Sequence, residues 1–495
     1  MLGGCSSMNA MIYTRGRDAD FQSWVDGGNP SWTPENVKSI YRKFESLQDS
    51  NLLQDPEIKS YYGSNGPLVL NTFNSTYRYI TEKVLDSWEY IGHKKVKDIN
   101  AAKFEGYGVA GIIRGTAANG KRRGTYTAYL EPNLQRSNLK IVTGAFVTNV
   151  LLNDKNEAYG VNVTVYGVNK TYYANKEVIV SAGTVNSPRL LMLSGIGPQD
   201  HLISKNITVK INSTQVGKNL QDHSYVPIPI YGDDVEYYDT NPNQFEVIKY
   251  MYNKSGLLAQ SYFSDVNAFY SRNENMSYPE FQNHFALFSK NTTSLKARFG
   301  NFKDEIAASF IEFNSQKPLY LFSVHLLHPL SKGVITLRSS NPYDKPMINY
   351  SYFEDKRDVQ ASVEGIKKLV KIVNAPFFKS INAFVQRINI TQCNKYQFQS
   401  DDYWQCFVKN VALTVYHPVG TCKMGPNIES AVVNNFLKVY GAKKLRVIDA
   451  SIMPSPTSGN INGPTIMIGE MGADMIKQEY LGSSKASEVT NNSSH

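Results

Sequence analysis

The run Glu177-Val178-Ile179-Val180-Ser181-Ala182-Gly183 constrains the fold more than any other stretch. It is short, β-branched and apolar, and it ends on glycine. A helix follows at once, from Ser187-Pro188 to Ser194, with Gly195 and Gly197 at its end. Proline suits a first helical turn and glycine suits a helix terminus. A buried strand passing straight into a helix is a building unit of an α/β layer. Leu445–Ile448 reads as a second buried strand, stopping at Asp449 and Ala450.

Strands of another kind come just before. Leu139–Thr143, Phe146–Leu152, Tyr159–Val165 and Lys170–Ala174 are β-branched or alternating, with Asp154-Lys155-Asn156 as a turn. Helical spacing is predicted from Asn36 to Leu47 and over 78–92, while Asn51–Ser75 reads as turn-rich and exposed. Leu2–Tyr13 reads as a glycine turn running into a short helix. Residues 222–400 change character: they are rich in Tyr, Phe and Asn and alternate strand-like runs with helices, notably Leu319–Leu327, Gly333–Arg338 and Asp355–Val373. That composition predicts a second, mainly antiparallel domain. A chain of 495 residues is long enough for two.

The net charge of +9 comes from scattered Lys and Arg, the longest cluster being Lys121-Arg122-Arg123, so a solvated basic surface is expected and nucleic-acid binding is not. No apolar stretch approaches a membrane span. The cysteines lack zinc-site spacing, and no metal site is expected. Cys393 and Cys406 could close a short loop, whereas Cys5 and Cys422, inside Gly-rich motifs, read as buried small residues. Asn-x-Ser/Thr sequons begin at Asn74, Asn162, Asn169, Asn206, Asn212, Asn253, Asn275, Asn291, Asn349, Asn389, Asn491 and Asn492. Their number points to the secretory pathway, where a Cys393–Cys406 disulfide would persist. Residues 1–15 contain no apolar core of a signal peptide.

Three blocks carry chemistry. Leu2–Tyr13 leads into Arg15-Gly16. Gly183–Pro198 follows the strand described above. In the third, Tyr416-His417-Pro418-Val419-Gly420-Thr421-Cys422 precedes Asp449-Ala450 and Ser458-Gly459-Asn460-Ile461-Asn462-Gly463-Pro464-Thr465. Glycine turns let backbone approach a ligand closely, and a histidine in one can take a proton near neutral pH. In this order the blocks resemble the signatures of the glucose–methanol–choline (GMC) oxidoreductases, most closely the insect glucose-dehydrogenase-like branch. Shorter likenesses are Gly217–His223 and Arg338–Pro342.

The resemblance implies a mixed α/β fold. An FAD-binding Rossmann-like domain would span 1–221, with segments of about 36–100 on the substrate side, and resume at 401–481. An antiparallel-sheet substrate domain would fill 222–400, and 482–495 would be a disordered tail. It implies His417 as the base that takes the hydroxyl proton while hydride leaves carbon for the flavin. Asn460 occupies a position that is His or Asn in relatives. An amide can orient the substrate oxygen but cannot serve as base, so His417 is the sole base of the pair. Leu2, Cys5, Asn9, Ala10, Met11 and Ile12 correspond to the flavin-wrapping segment, and Val147 to the residue whose backbone meets adenine. Asp449 and Ala450 correspond to the ribityl–phosphate corner. Asn462, Pro464 and Thr465 open a helix reaching about Tyr480, whose positive N-terminus would face the flavin pyrimidine. Some relatives bind FAD covalently through a His just before this Asn; here that residue is Met8, so non-covalent FAD is expected. The histidines at 93, 201, 223, 284, 325, 328 and 495 show no constellation and read as structural or surface groups.

The family holds the ADP half of FAD with Gly-x-Gly-x-x-Gly between the first strand and helix. No such run occurs here, and the chain opens inside the first signature. Either the sequence is incomplete, or it is a truncated product that binds FAD poorly; weak or absent FAD binding by the chain alone is the expectation. Three functions follow: an FAD-dependent oxidoreductase acting on CH–OH groups, with oxygen or another acceptor; a non-catalytic secreted protein that keeps the fold; or a lyase with structural FAD. Substrate identity and oligomeric state have no readable signal.

Overall fold

The computed structural model describes residues 1–73, 78–235, 244–259 and 265–491. Its largest element is a sheet in the order Phe384–Val385, Ser224–Tyr231, Leu319–Leu326, Phe281–Phe288, Val266–Tyr270, Gly108–Ile112, Lys94–Val96. Leu413–Thr414 also pairs with Ser224–Tyr231. The strands are antiparallel apart from the last pair, Lys94–Val96 beside Gly108–Ile112. The sheet therefore draws strands from before 222–400 as well as from within it.

Side chains alternate between the faces of a strand, and the two faces of this sheet differ in kind. One face, including Val226, Ile228, Tyr270, Phe285, Phe322 and Val324, is apolar. It packs against the helices Arg78–Tyr90, Lys356–Leu369 and Asp401–Val411 through Val84, Trp88, Ile366, Trp404 and Phe407. The Lys356–Leu369 helix shows why these residues are helical: Asp355 accepts from the Arg357 N–H as N-cap, and Val359, Val363, Ile366 and Leu369 recur at helical spacing on the buried side. The other face is polar. Register sets Gln282 opposite His325, His284 opposite Ser323, and Asn267 opposite His284. All of these side chains are nonetheless buried, so that face is covered by the rest of the molecule.

The second core is built on the strand–glycine–helix unit. Val178–Val180 pairs in parallel with Leu445–Val447, with Ile179 exposed rather than buried, and the helix runs from Gly183 to Leu193, so that Pro188 lies inside it and not in its first turn. Beside it lies a meander of Ala145–Leu152, Ala158–Val165 and Val168–Tyr173. Cys393 and Cys406 are bonded, with an S–S distance of 2.04 Å. No described helix is long and apolar enough to cross a membrane.

Several expectations change. Leu139–Thr143 forms no strand; Leu139 closes a turn onto Arg136 and is exposed, with no strand beside it to pair among the described residues. Residues 51–75 are not an exposed turn region as far as they are described. Pro56–Tyr61 is a helix, and Leu68–Thr72 is a strand whose Leu68 and Leu70 are fully buried. The Asn74 sequon lies outside the described residues. Cys5 is exposed, because the Gly4–Ser7 turn buries only Ser6; Cys422 is buried as expected. The final helix spans Asn462–Asn491, past Tyr480 and into the span read as a disordered tail; 492–495 lie outside the described residues.

Candidate active site

His417 sits in a turn whose backbone is set by its neighbours. Tyr416 and Gly420 both adopt positive φ, 65° and 92°. At Gly420 a Cβ would stand 2.5 Å from the Asn219 carbonyl oxygen, so only glycine fits there. The Val419 N–H donates to the Gln221 carbonyl at 2.8 Å, and the Gln221 N–H donates back at 3.1 Å. The His417 N–H donates to Asp222 Oδ1 at 2.9 Å. Tyr352 and Thr414 hydroxyls donate to the other carboxylate oxygen. Burial still pushes the Asp222 carboxyl up to about 6, against the pull of those bonds. The result is a rigid seat for one imidazole.

Asn460 reaches that imidazole from the opposite side. Its Nδ2 lies 3.2 Å from His417 Nε2. Its Oδ1 accepts from Gln282 Nε2 at 2.9 Å, and its carbonyl accepts from the Thr14 hydroxyl at 2.8 Å. Gln282 Nε2 also donates to Asn267 Oδ1 at 2.7 Å, and Asn267 Nδ2 lies 3.3 Å from His284 Nδ1. On the remaining side, His223 Nδ1 lies 2.9 Å from His417 Nδ1, with the rings nearly perpendicular at 87°. The His284 and His325 rings stack edge-on at 4.8 Å, and His325 Nε2 meets the Ser323 hydroxyl at 2.8 Å.

Four histidines thus occupy one buried polar face, and three of them, His223, His284 and His325, had read as isolated groups. They come together only through strand register and the return of the chain at 417. The signal that could have found them is the polar alternation Gln282-x-His284 and Ser323-x-His325 inside otherwise apolar strands. His93 and His201 lie elsewhere: His93 packs on Trp88 and Tyr270, and His201 Nε2 accepts from the Leu337 N–H. His328 meets the Ser458 hydroxyl at 3.1 Å.

Burial governs the charge of the cluster. It lowers His417 to about 3, with His284 adding repulsion, and lowers His284 to about 3, with Arg298 adding repulsion. It also lowers His223 and His325, each repelled further by neighbouring imidazoles. All four rings are neutral at physiological pH. A neutral imidazole with a free lone pair is a proton acceptor.

The residues expected to hold FAD fall on the same side of the chain's logic. Asn9 Oδ1 accepts from the Met11 N–H and from Arg122, fixing the turn before the Ile12–Tyr13 strand. Leu2, Cys5 and Met8 are exposed, and Ala10 and Met11 are half-buried. Asp449 clasps the strand–helix unit: it accepts from the Gly183 N–H at 2.9 Å, from the Ser187 hydroxyl and from Ser451, with Ala450 buried beside it. Val147 lies on the meander, opposite Val163 and half-buried. Asn462 opens the last helix, Pro464 is buried in its first turn, and Thr465 donates to the Ile461 carbonyl at 2.7 Å.

These positions fit FAD on two observations. Asn462 Nδ2 is buried at a long helix's N-terminus with no hydrogen-bond partner, where an acceptor-rich ring edge would satisfy it. Gly4 and Gly183 have left-handed φ and no atom within 4 Å of where a Cβ would stand, leaving room for close approach. Asn9 on the first glycine-rich block and Asp449 and Asn462 on the third supply polar groups that would hold it, with Asp449 bonded to Gly183 of the second.

Comparison with known proteins agrees. Models of the GMC oxidoreductase family match residues 1–225 and 329–469. The N-terminal match begins at residue 1 and lends no support to a missing ADP-binding unit. Glucose dehydrogenase [FAD, quinone] of Drosophila pseudoobscura pseudoobscura is 34% identical over 97% of this chain and 74% of its own. Ecdysone oxidase of Bombyx mori is 32% identical over 99% of this chain and 72% of its own. A solved formate oxidase of Aspergillus oryzae, studied for modification of its FAD, superposes with a TM-score of 0.84 at 26% identity, over 97% of this chain and 84% of that one. The chain therefore belongs to the GMC oxidoreductase family and is an FAD-dependent oxidoreductase, with an FAD-binding domain and a substrate domain.

Proposed function

We propose that the protein oxidises the CH–OH group of an alcohol or sugar-like substrate, with His417 as proton acceptor and Asn460 as the group that orients the oxygen. The observation that carries this reading is the pairing of His417 Nε2 with Asn460 Nδ2 at 3.2 Å beneath a polar sheet face. Bound FAD supplies the hydride acceptor. The chain's residues do the rest. A substrate hydroxyl entering beside Asn460 would accept from its Nδ2 and donate to His417 Nε2. Gln282 keeps the Asn460 amide turned that way. Asp222 holds the His417 backbone, so the ring cannot swing away. Burial keeps His417 uncharged and ready to accept.

The relatives named for glucose and ecdysone place sugars and polyhydroxylated steroids among the substrates to try. FAD is held non-covalently on this reading, since Met8 is 68% exposed and its thioether forms no flavin bond comparable to that of a histidine. Maturation in the secretory pathway is supported by the disulfide and by exposed sequon residues at Asn169, Asn206, Asn212, Asn253, Asn275, Asn291, Asn349 and Asn389. The non-catalytic reading is not favoured, because both halves of the chain match the family and the His417–Asn460 pair is assembled.

The test is anaerobic flavin reduction by D-glucose and by ecdysone in single turnover. Whichever alcohol reduces the wild type should reduce His417→Ala ~10²–10⁴-fold more slowly. An unchanged rate would remove His417 from the chemistry.

A further inference from the structure

We propose that His223 is a positioning residue for the proton acceptor: its Nδ1 lone pair fixes His417 in the Nδ1–H tautomer, leaving Nε2 free to receive the substrate proton. This rests on His417 being the acceptor in the proposed function. The Nδ1–Nδ1 separation of 2.9 Å, with both rings buried, requires one of the two nitrogens to carry a hydrogen and the other a lone pair.

The hydrogen-bond chain around His417 can run in only two polarities. In one, Gln282 Nε2 donates to both Asn267 Oδ1 and Asn460 Oδ1, Asn460 Nδ2 donates to His417 Nε2, and His417 Nδ1 donates to His223 Nδ1. In the other, every amide is turned over and His417 Nε2 carries the hydrogen, leaving no lone pair toward the substrate. The amides stand in the first arrangement, with Gln282 Nε2 facing both Asn267 Oδ1 and Asn460 Oδ1 and Asn460 Nδ2 facing His417 Nε2. With His223 Nδ1 accepting from His417 Nδ1, the hydrogen of the neutral His223 ring sits on Nε2.

The proton balance is simple. The substrate O–H bond breaks and an N–H bond forms at His417 Nε2. The ring becomes imidazolium, and its existing Nδ1–H bond to neutral His223 becomes charge-assisted and stronger. His223 gains and loses no proton in the step. Its contribution appears only as charge develops on His417, so it lowers the barrier without tightening substrate binding.

The experiment uses the full chain with ring-¹⁵N histidine. In the wild type, His417 should show a protonated Nδ1 and an unprotonated Nε2, and His223 an unprotonated Nδ1. In His223→Phe the His417 Nδ1–H signal should lose its exchange protection, while in His223→Asn, whose Oδ1 can accept in place of Nδ1, it should persist. With the active alcohol, His223→Phe should slow flavin reduction ~10- to 100-fold, the range for a hydrogen bond to a charged group, with little change in KM, and His223→Asn should recover most of it. A wild-type His417 bearing its hydrogen on Nε2, or a tautomer unmoved in His223→Phe, overturns the proposal. The tautomer readout needs no turnover, so its failure is distinct from a failure of the His417→Ala test.

Discussion

Acid should unfold this protein more steeply than its surface charge suggests, because it buries imidazoles that stay neutral. His93, His284 and His417 are lowered to about 4, 3 and 3, mainly by burial. In the unfolded chain each titrates near 6.5. A group with a depressed native pKa contributes stability that is fully present above its unfolded value and lost as pH falls toward its native value. Between about pH 6 and 4, then, these three rings bind about three more protons in the unfolded state than in the native state. Asp222 runs the other way: raised to about 6, it takes up a proton in the native state while its unfolded counterpart stays ionised down to about 4. The net difference is two protons, and at ~1.4 kcal/mol per proton per pH unit the slope is about 3 kcal/mol per unit between pH 6 and 4. His223 and His325 are lowered as well and steepen it. Against a typical stability of ~5–15 kcal/mol, that is enough to lose the fold within a few units.

Urea titrations from pH 7 to 4.5 at fixed FAD concentration measure the slope, with the buried Trp24, Trp32, Trp88 and Trp404 as fluorescent reporters. The unfolding midpoint should fall with an unchanged m-value. His93 provides the control, since it lies between Trp88 and Tyr270, away from the site. His93→Phe should remove one proton and flatten the slope by ~1.4 kcal/mol per pH unit. A stability that stays level from pH 6.5 to 5, or a slope untouched by His93→Phe, would refute the argument.

Two further outcomes follow from the proposed function. Acid precipitation of the flavin-loaded protein should release all flavin to the supernatant, since Met8 offers no attachment point; flavin retained in the washed pellet would mean a covalent link. Protein made in a secreting eukaryotic host should lose mass on enzymatic removal of N-glycans, and site mapping should find them among the exposed residues from Asn169 to Asn389; an unglycosylated secreted product would count against the secretory reading.

What the sequence made legible was local. The succession of strand, glycine and helix at 177–195, the glycine turns around His417 and Asn460, and the capped helix after Asp355 each follow from residues within a dozen positions of one another, although the first helix starts at Gly183 rather than Ser187. What stayed hidden depended on distant partners. Leu139–Thr143 has strand-forming residues, but a strand exists only beside another, and none pairs with it among the described residues. Leu68 and Leu70 sat in a stretch dominated by turn residues, yet they pair with Glu45 and Leu47, while Asn71 and Thr72 of the same strand pair with Gly115 and Arg114, and both leucines are buried. The histidine cluster is the extreme case. His223, His284, His325 and His417 meet because three strands fall into one register and a loop returns nearly two hundred residues later.

The burial that makes His417 a ready acceptor also makes it a poor holder of charge, and this constrains the order of events. A ring lowered to about 3 is unprotonated at working pH, but for the same reason it cannot strip a proton from a resting alcohol and keep it. The hydroxyl becomes acidic enough only as hydride leaves its carbon and the oxygen takes on carbonyl character. In the proposed reaction, proton transfer to His417 therefore accompanies or follows C–H cleavage rather than preceding it. The His223 bond fits that order, because it strengthens only when His417 acquires charge. His284 and His325 set the limit on that charge: a proton resting on any of the crowded rings repels the next. A cluster of four neutral imidazoles can tolerate one transient cation at the ring best supplied with partners, and that ring is His417, held by Asp222 at its backbone, His223 at Nδ1 and Asn460 at Nε2.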